Sequence, residues 1–86
     1  MPEISSFFGI KCSMYFLDHN PPHFHVDYAG DEALIDIQNA SVLRGTLPTK
    51  QLKLVLGWCV LRRAELMDDW ELVKVGKSPL KIKPLN

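Results

Sequence analysis

Three histidines fall within seven positions of this 86-residue chain, as His19-x-x-x-His23-x-His25. Imidazole is a neutral metal ligand and also the side chain that titrates closest to physiological pH, so the cluster points to two chemistries. On a strand, His23 and His25 project from one face about 6.5 to 7 Å apart along the chain. His19 is expected to fold back over them from the intervening Asn20-Pro21-Pro22. With Asp36 opposite His25, this set suits zinc or another divalent ion. Asp36 would alternatively hold His25 in orientation by a hydrogen bond from behind. In the acid–base reading, His25 is the base and His23 or Lys11 the acid of a ribonuclease-like reaction. The plainer account assigns His19, Asn20 and the prolines to a turn, and His23 and His25 to the polar side of a half-covered sheet, where a protein partner would also meet them. No glycine-rich phosphate loop, zinc-protease motif or Ser/His/Asp set accompanies the cluster.

The elements around the cluster follow from periodicity. Ile10, Cys12, Met14 and Phe16 alternate with polar or less buried types, which predicts a first strand over 8–17 that ends at Asp18-His19-Asn20-Pro21-Pro22. From His23 a second strand puts Phe24, Val26 and Tyr28 on one face and His23, His25 and Asp27 on the other. Gly30-Asp31 suits the centre of a type II′ turn, with Ala29 facing Glu32. Tyr28 would then face Ala33, Val26 Ile35 and Phe24 Ile37, while Asp27 meets Leu34, His25 meets Asp36 and His23 meets Gln38. Tyr15 is expected on the histidine side with Asp27. Asn39-Ala40 turns the chain into a fourth strand over 41–46, with Gly45 a bulge signal.

Pro48 suits the first turn of a helix carrying Leu52, Val55, Leu56, Cys59 and Val60. Unbroken to Val75 it would run ~42 Å, against a radius of gyration of ~12 Å for so small a domain. A break is therefore expected, and Asp68 with Glu71 resembles a capping box for a second helix that carries Trp70 and Val73 and stops at Gly76. Phe16 and Phe24 are expected in the core, and Trp58, off the main apolar stripe, as an interface candidate. The tail alternates Lys77, Lys81 and Lys83 with apolar residues and holds Pro79 and Pro84, so it is expected as an edge strand or a wrap around a neighbour. The expected fold is α+β: an antiparallel β-meander of about four strands, followed by two C-terminal helices packed on one face. A single domain over 1–86 divides into the meander (1–47), the helical segment (48–76) and the tail (77–86).

Charge and composition narrow the function classes. Ten Lys and Arg balance ten Asp and Glu, giving no basic footprint for nucleic acid. Lys50, Lys53, Arg62 and Arg63 make a modest basic surface that Glu65, Asp68 and Asp69 offset, so RNA is not the favoured partner. No run of 18 apolar residues suggests a membrane span, and the first residues lack the basic start of a signal peptide. Cys12 and Cys59 fall on apolar-periodic positions and are expected to be reduced core residues of a cytoplasmic protein. So short a chain has a thin core, and a small protein partner or a homo-oligomer is expected to complete it.

The segments Met1-Pro2-Glu3-Ile4-Ser5, Phe8-Gly9-Ile10, His19-Asn20-Pro21-Pro22-His23-Phe24-His25-Val26, Ala33 to Ile37 and Gly45 to Pro48, with Trp58, Glu65-Leu66 and Trp70, resemble a family of small bacterial proteins known as domain of unknown function 4160. The resemblance implies a four-stranded antiparallel sheet with C-terminal helices and implies no known activity. Members are commonly encoded beside a second small protein, which suggests one component of a toxin–antitoxin-like pair. Many carry a His after the helix bearing the Trp58 equivalent and an Asn before the second Trp, where this chain has Arg62 and Asp69. No catalytic role is carried over to the helix. The expected function is thus a small cytoplasmic protein-interaction domain. Its alternative is a metal-binding or hydrolytic protein using His19, His23, His25 and Asp36.

Overall fold

The computed structural model describes residues 2–85, so Met1 and Asn86, at the outer ends of the segments expected at 1–47 and 77–86, lie outside the described residues. Five strands, β1 (Glu3–Phe7), β2 (Ile10–Ser13), β3 (His23–Tyr28), β4 (Asp31–Asp36) and β5 (Ser41–Gly45), precede α1 (Thr49–Leu61) and α2 (Arg63–Lys74). The strands form one antiparallel meander in the order β1-β2-β3-β4-β5. The expected α+β architecture is present, with one strand more than the apolar alternation indicated.

That strand is β1. The run expected as a single strand over 8–17 turns at Phe8-Gly9, where both residues have positive φ (50° and 77°). Two consecutive left-handed residues make a primed two-residue turn, whose twist matches the flanking strands. Its second arm ends at Ser13, and Phe16 is 42% exposed rather than in the core.

The β3–β4 turn also differs. Ala29 and Gly30 carry the positive φ values (48° and 89°), so the central pair is Ala29-Gly30 rather than Gly30-Asp31. Tyr28 pairs with Asp31, Val26 with Ala33, Phe24 with Ile35, His25 with Leu34 and His23 with Asp36. The register moves by two residues, an even shift, so every side chain keeps its expected face.

The apolar face holds Ile10, Cys12, Met14, Phe24, Val26, Ala33 and Ile35, buried against Val55, Trp58 and Cys59 of α1 and Leu66, Trp70 and Val73 of α2. Trp58 is fully buried and packs on Phe7 and Phe24 with ring centroids 5.2 and 5.7 Å away. Its indole N–H donates to the Lys83 carbonyl at 2.9 Å, which places it in the core and not at an interface. Burial pushes both free thiols up, Cys59 to about 11, so neither is a nucleophile or ready ligand at neutral pH.

The helices part at Arg62, six residues before the expected Asp68. Arg62 leaves helical geometry (φ −110°, ψ 20°), and Asp68 and Glu71 lie inside α2. At its far end, Gly76 N–H bonds to the Val73 carbonyl and Lys77 N–H to Leu72, a Schellman closure that needs the left-handed Gly76 (φ 81°). The tail then returns over its own chain: Leu80 N–H donates to Asp69, Ile82 N–H to the Ile4 carbonyl at 2.8 Å, and Ile82 is buried. It makes one backbone bond to β1 rather than a strand, and what it wraps is its own core.

Candidate functional site

Strand β3 alternates Phe24 and Val26 into the core with His23, His25 and Asp27 on the other face. The β2–β3 connection brings Asp18 to these histidines. Leu17 just before it adopts a left-handed conformation (φ 55°) and is 69% exposed, held there by its N–H bond to the Val73 carbonyl of α2 at 2.8 Å. A bulky residue does not take that conformation cheaply. The outcome is that the next side chain, Asp18, turns back over β3.

Asp18 Oδ2 lies 2.9 Å from His23 Nε2 and 3.4 Å from His25 Nε2. One ligand atom from each of the three side chains falls within 4.8 Å of the others. Around a zinc ion with bonds of about 2.0 to 2.1 Å, tetrahedral ligand atoms stand about 3.3 Å apart. The three side chains are therefore close to a ligating arrangement. Partial burial works against the ionised form of Asp18. It is outweighed by the His19 amide, His25 and His23, and together they hold the carboxyl below the usual carboxylate range.

The contact with Pro21 fixes one proton of His23. His23 Nδ1 is 2.8 Å from the Pro21 carbonyl, which only accepts, so Nδ1 carries the hydrogen. Nε2 of a neutral His23 is then a bare lone pair facing an ionised carboxylate oxygen at 2.9 Å. Two acceptors at that distance repel unless a positive charge lies between them. His23 is further fixed against Trp70 (5.2 Å between centroids) and His25 is stacked on Tyr15 (3.9 Å, 26° between planes). Ser13, cross-strand from His25, has a buried Oγ without a hydrogen-bond partner.

Of the four residues expected at the site, the structure brings His23 and His25 together and leaves the others apart. His19 is exposed and contributes its backbone N–H to Asp18 Oδ1 at 2.9 Å, not its ring. Asp36 is cross-strand from His23 but spends both oxygens on the β4–β5 turn, accepting from Gln38 N–H, Asn39 N–H and Asn39 Nδ2. It is a turn brace, because an Asp side chain readily bonds the amides two and three residues ahead. The carboxylate that meets the two histidines is Asp18. The available signal was its place in the same turn as His19, five and seven residues before His23 and His25.

An antiparallel meander backed by two helices, with an Asp/His/His cluster where β3 begins, defines a small α+β protein with a convergent polar site. The chain belongs to the family described as Domain of unknown function (DUF4160), which it matches over residues 9–71, a span that includes all three cluster residues. No curated protein and no solved structure matches it. No helix among the described residues is long and apolar enough to cross a membrane.

Proposed function

We propose that this protein binds a divalent metal ion through Asp18, His23 and His25 and that the site is of the open, hydrolytic kind. The carrying observation is the confrontation of His23 Nε2 with Asp18 Oδ2 at 2.9 Å when the Nδ1 proton is already committed to Pro21. One added proton would satisfy that pair alone; a metal ion also accommodates His25 Nε2, aimed at the same oxygen. Three protein ligands leave a coordination position for water, and zinc makes such water markedly more acidic. Supporting the same reading, Tyr15 and Trp70 wall the two rings and limit their rotation.

Native mass spectrometry and calorimetric titration of tag-free protein test this. One zinc per chain is expected, with affinity falling at least 100-fold in Asp18→Ala and His25→Ala, in keeping with loss of one of three ligands. His19→Ala should bind as the unaltered chain does. A metal-free chain, or equal affinity in Asp18→Ala, would show the cation to be a proton.

A second reading rests on the sheet edges. The tail lies along β1 through Ile82, whereas all five residues of β5 are exposed, Val42 and Leu43 among them. An open edge strand accepts a partner's strand by backbone pairing. In this reading the protein is one half of a toxin–antitoxin-like pair in the cytoplasm, a compartment in keeping with two unpaired buried cysteines. A complex with a small protein, isolated from the native host and lost in Leu43→Pro, is expected. The chain isolated alone, or a complex indifferent to that change, excludes it.

A further inference from the structure

Beside the metal triad the open face of the sheet carries a cleft of about 240 Å³, lined by Tyr15, His25, Asp27, Glu32, Leu34 and Arg44 among others. The register orders these side chains. Ser13, His25, Leu34 and Arg44 form one row across β2 to β5, and Lys11, Asp27 and Glu32 form the next row across β2 to β4. Arg44 stands two strand spacings from His25, ~10 Å, with half-buried Leu34 as the floor between them.

The charges of this cleft are not matched to one another. The ion pairs among the described residues join Asp18 to His23 and His25, Arg62 to Glu65, Lys74 to Glu71 and Lys81 to Glu3. None includes Asp27, Glu32, Arg44 or Lys11. Asp27 and Glu32 are direct cross-strand partners, an arrangement of like charges that is destabilising by itself. Lys11, cross-strand from Asp27 on its other side, makes no ion pair with either carboxylate, so a cation seated between the two would relieve that repulsion. Arg44 offers a planar fork suited to a carboxylate.

Each simpler ligand meets an obstacle here. A bare oxyanion is repelled by two carboxylates, and a simple cation by Arg44. The volume is below the roughly 300 to 1,000 Å³ of sites for drug-sized ligands, which argues against a nucleotide. We infer that the cleft binds a small zwitterion of the amino-acid or dipeptide class, with its carboxylate on Arg44, its ammonium between Asp27 and Glu32, and a side chain towards Tyr15 and His25. The approach to His25 rests on the metal reading above; the Arg44 and Asp27/Glu32 contacts do not.

The test is amide-resolved NMR titration of the full-length chain, metal-stripped and zinc-loaded, with glycyl-leucine, its N-acetyl form, its C-terminal amide and inorganic phosphate. Glycyl-leucine should move the Asp27, Glu32 and Arg44 amides. The two blocked forms should bind about ten-fold more weakly or worse, as expected for losing a charge-assisted contact. Arg44→Gln, on an exposed edge strand, should erase the preference for the free carboxylate, and Glu32→Gln the preference for the free ammonium. Equal binding of all forms, no response, or phosphate bound more tightly than the dipeptide would overturn the inference. Dipeptide binding with these preferences in a chain that takes up no zinc would keep the cleft and remove the metal. Zinc uptake without dipeptide binding would do the reverse.

Discussion

At the scale of single residues, two carboxylates show opposite consequences of partial or full enclosure. Asp18 accepts from the His19 amide, lies against His23 and His25 and is held in its ionised form, whereas Asp69, 2% exposed in α2, has one oxygen bonded to Leu80 N–H and the other without a partner. Burial raises the Asp69 carboxyl above its ordinary value; the Leu80 amide opposes this, and Asp68 and Glu65 add to it. A carboxyl raised on folding contributes most stability below its unfolded pKa and loses it as pH rises through the folded value. Asp69→Asn retains an acceptor for Leu80 and removes the buried charge, so it should stabilise the protein by about 1 kcal/mol at pH 7. The gain should vanish at low pH, where Asp69 is protonated. Urea denaturation of both proteins across pH 4 to 8 measures this, and a pH-independent difference would contradict it.

At the scale of elements, two glycines with similar backbones have different reasons to be glycine. Gly30 (φ 89°) has open space around a would-be Cβ, while at Gly45 (φ 80°) a Cβ would run into the Glu32 carbonyl oxygen. Gly30→Ala should therefore cost only the left-handed penalty, about 1 kcal/mol. Gly45→Ala should cost clearly more, about 3 kcal/mol, because β5 must also draw away from β4. Comparison of the two unfolding midpoints checks this; equal losses would mean that β5 yields without resistance. Gly45 read as a bulge signal in the sequence, yet the register break falls at Leu43, which has no partner between Arg44 and Val42. The close approach to β4, not the bulge, is what requires glycine.

Across the whole molecule, the tail closes a thin core. Ile82 is 4% exposed, and Lys83 next to it supplies the acceptor for the Trp58 indole. Ile82→Ala should destabilise by about 2 to 4 kcal/mol, the range for truncating a buried aliphatic side chain. That is a large share of the stability of so short a chain. A lowered melting temperature together with a red-shifted tryptophan emission would report both the lost packing and the wetted Trp58. An unchanged emission would mean that the tail does not seal the core.

Much of this was legible along the chain. Alternation placed His23, His25 and Asp27 opposite Phe24 and Val26, because side-chain direction in a strand has a period of two and survives an even register shift. Helical periodicity placed Val55, Cys59 and Val73 in the core, and Gly76 was readable as a helix stop because its left-handed conformation excludes most other residues. The break at Arg62 was not readable, since it carries neither Pro nor Gly and follows from how α1 and α2 both reach the sheet. Trp58 and Phe16 exchanged their expected places for a related reason: burial depended on where the tail and the β2–β3 connection came to lie. The same connection decided the site. A turn written Asp-His-Asn-Pro-Pro announces that the chain reverses, but which of its side chains meets β3 depends on the α2 carbonyl that holds Leu17. That contact spans 56 residues of sequence and has no local signature, so packing rather than pattern selected Asp18 over His19 and Asp36.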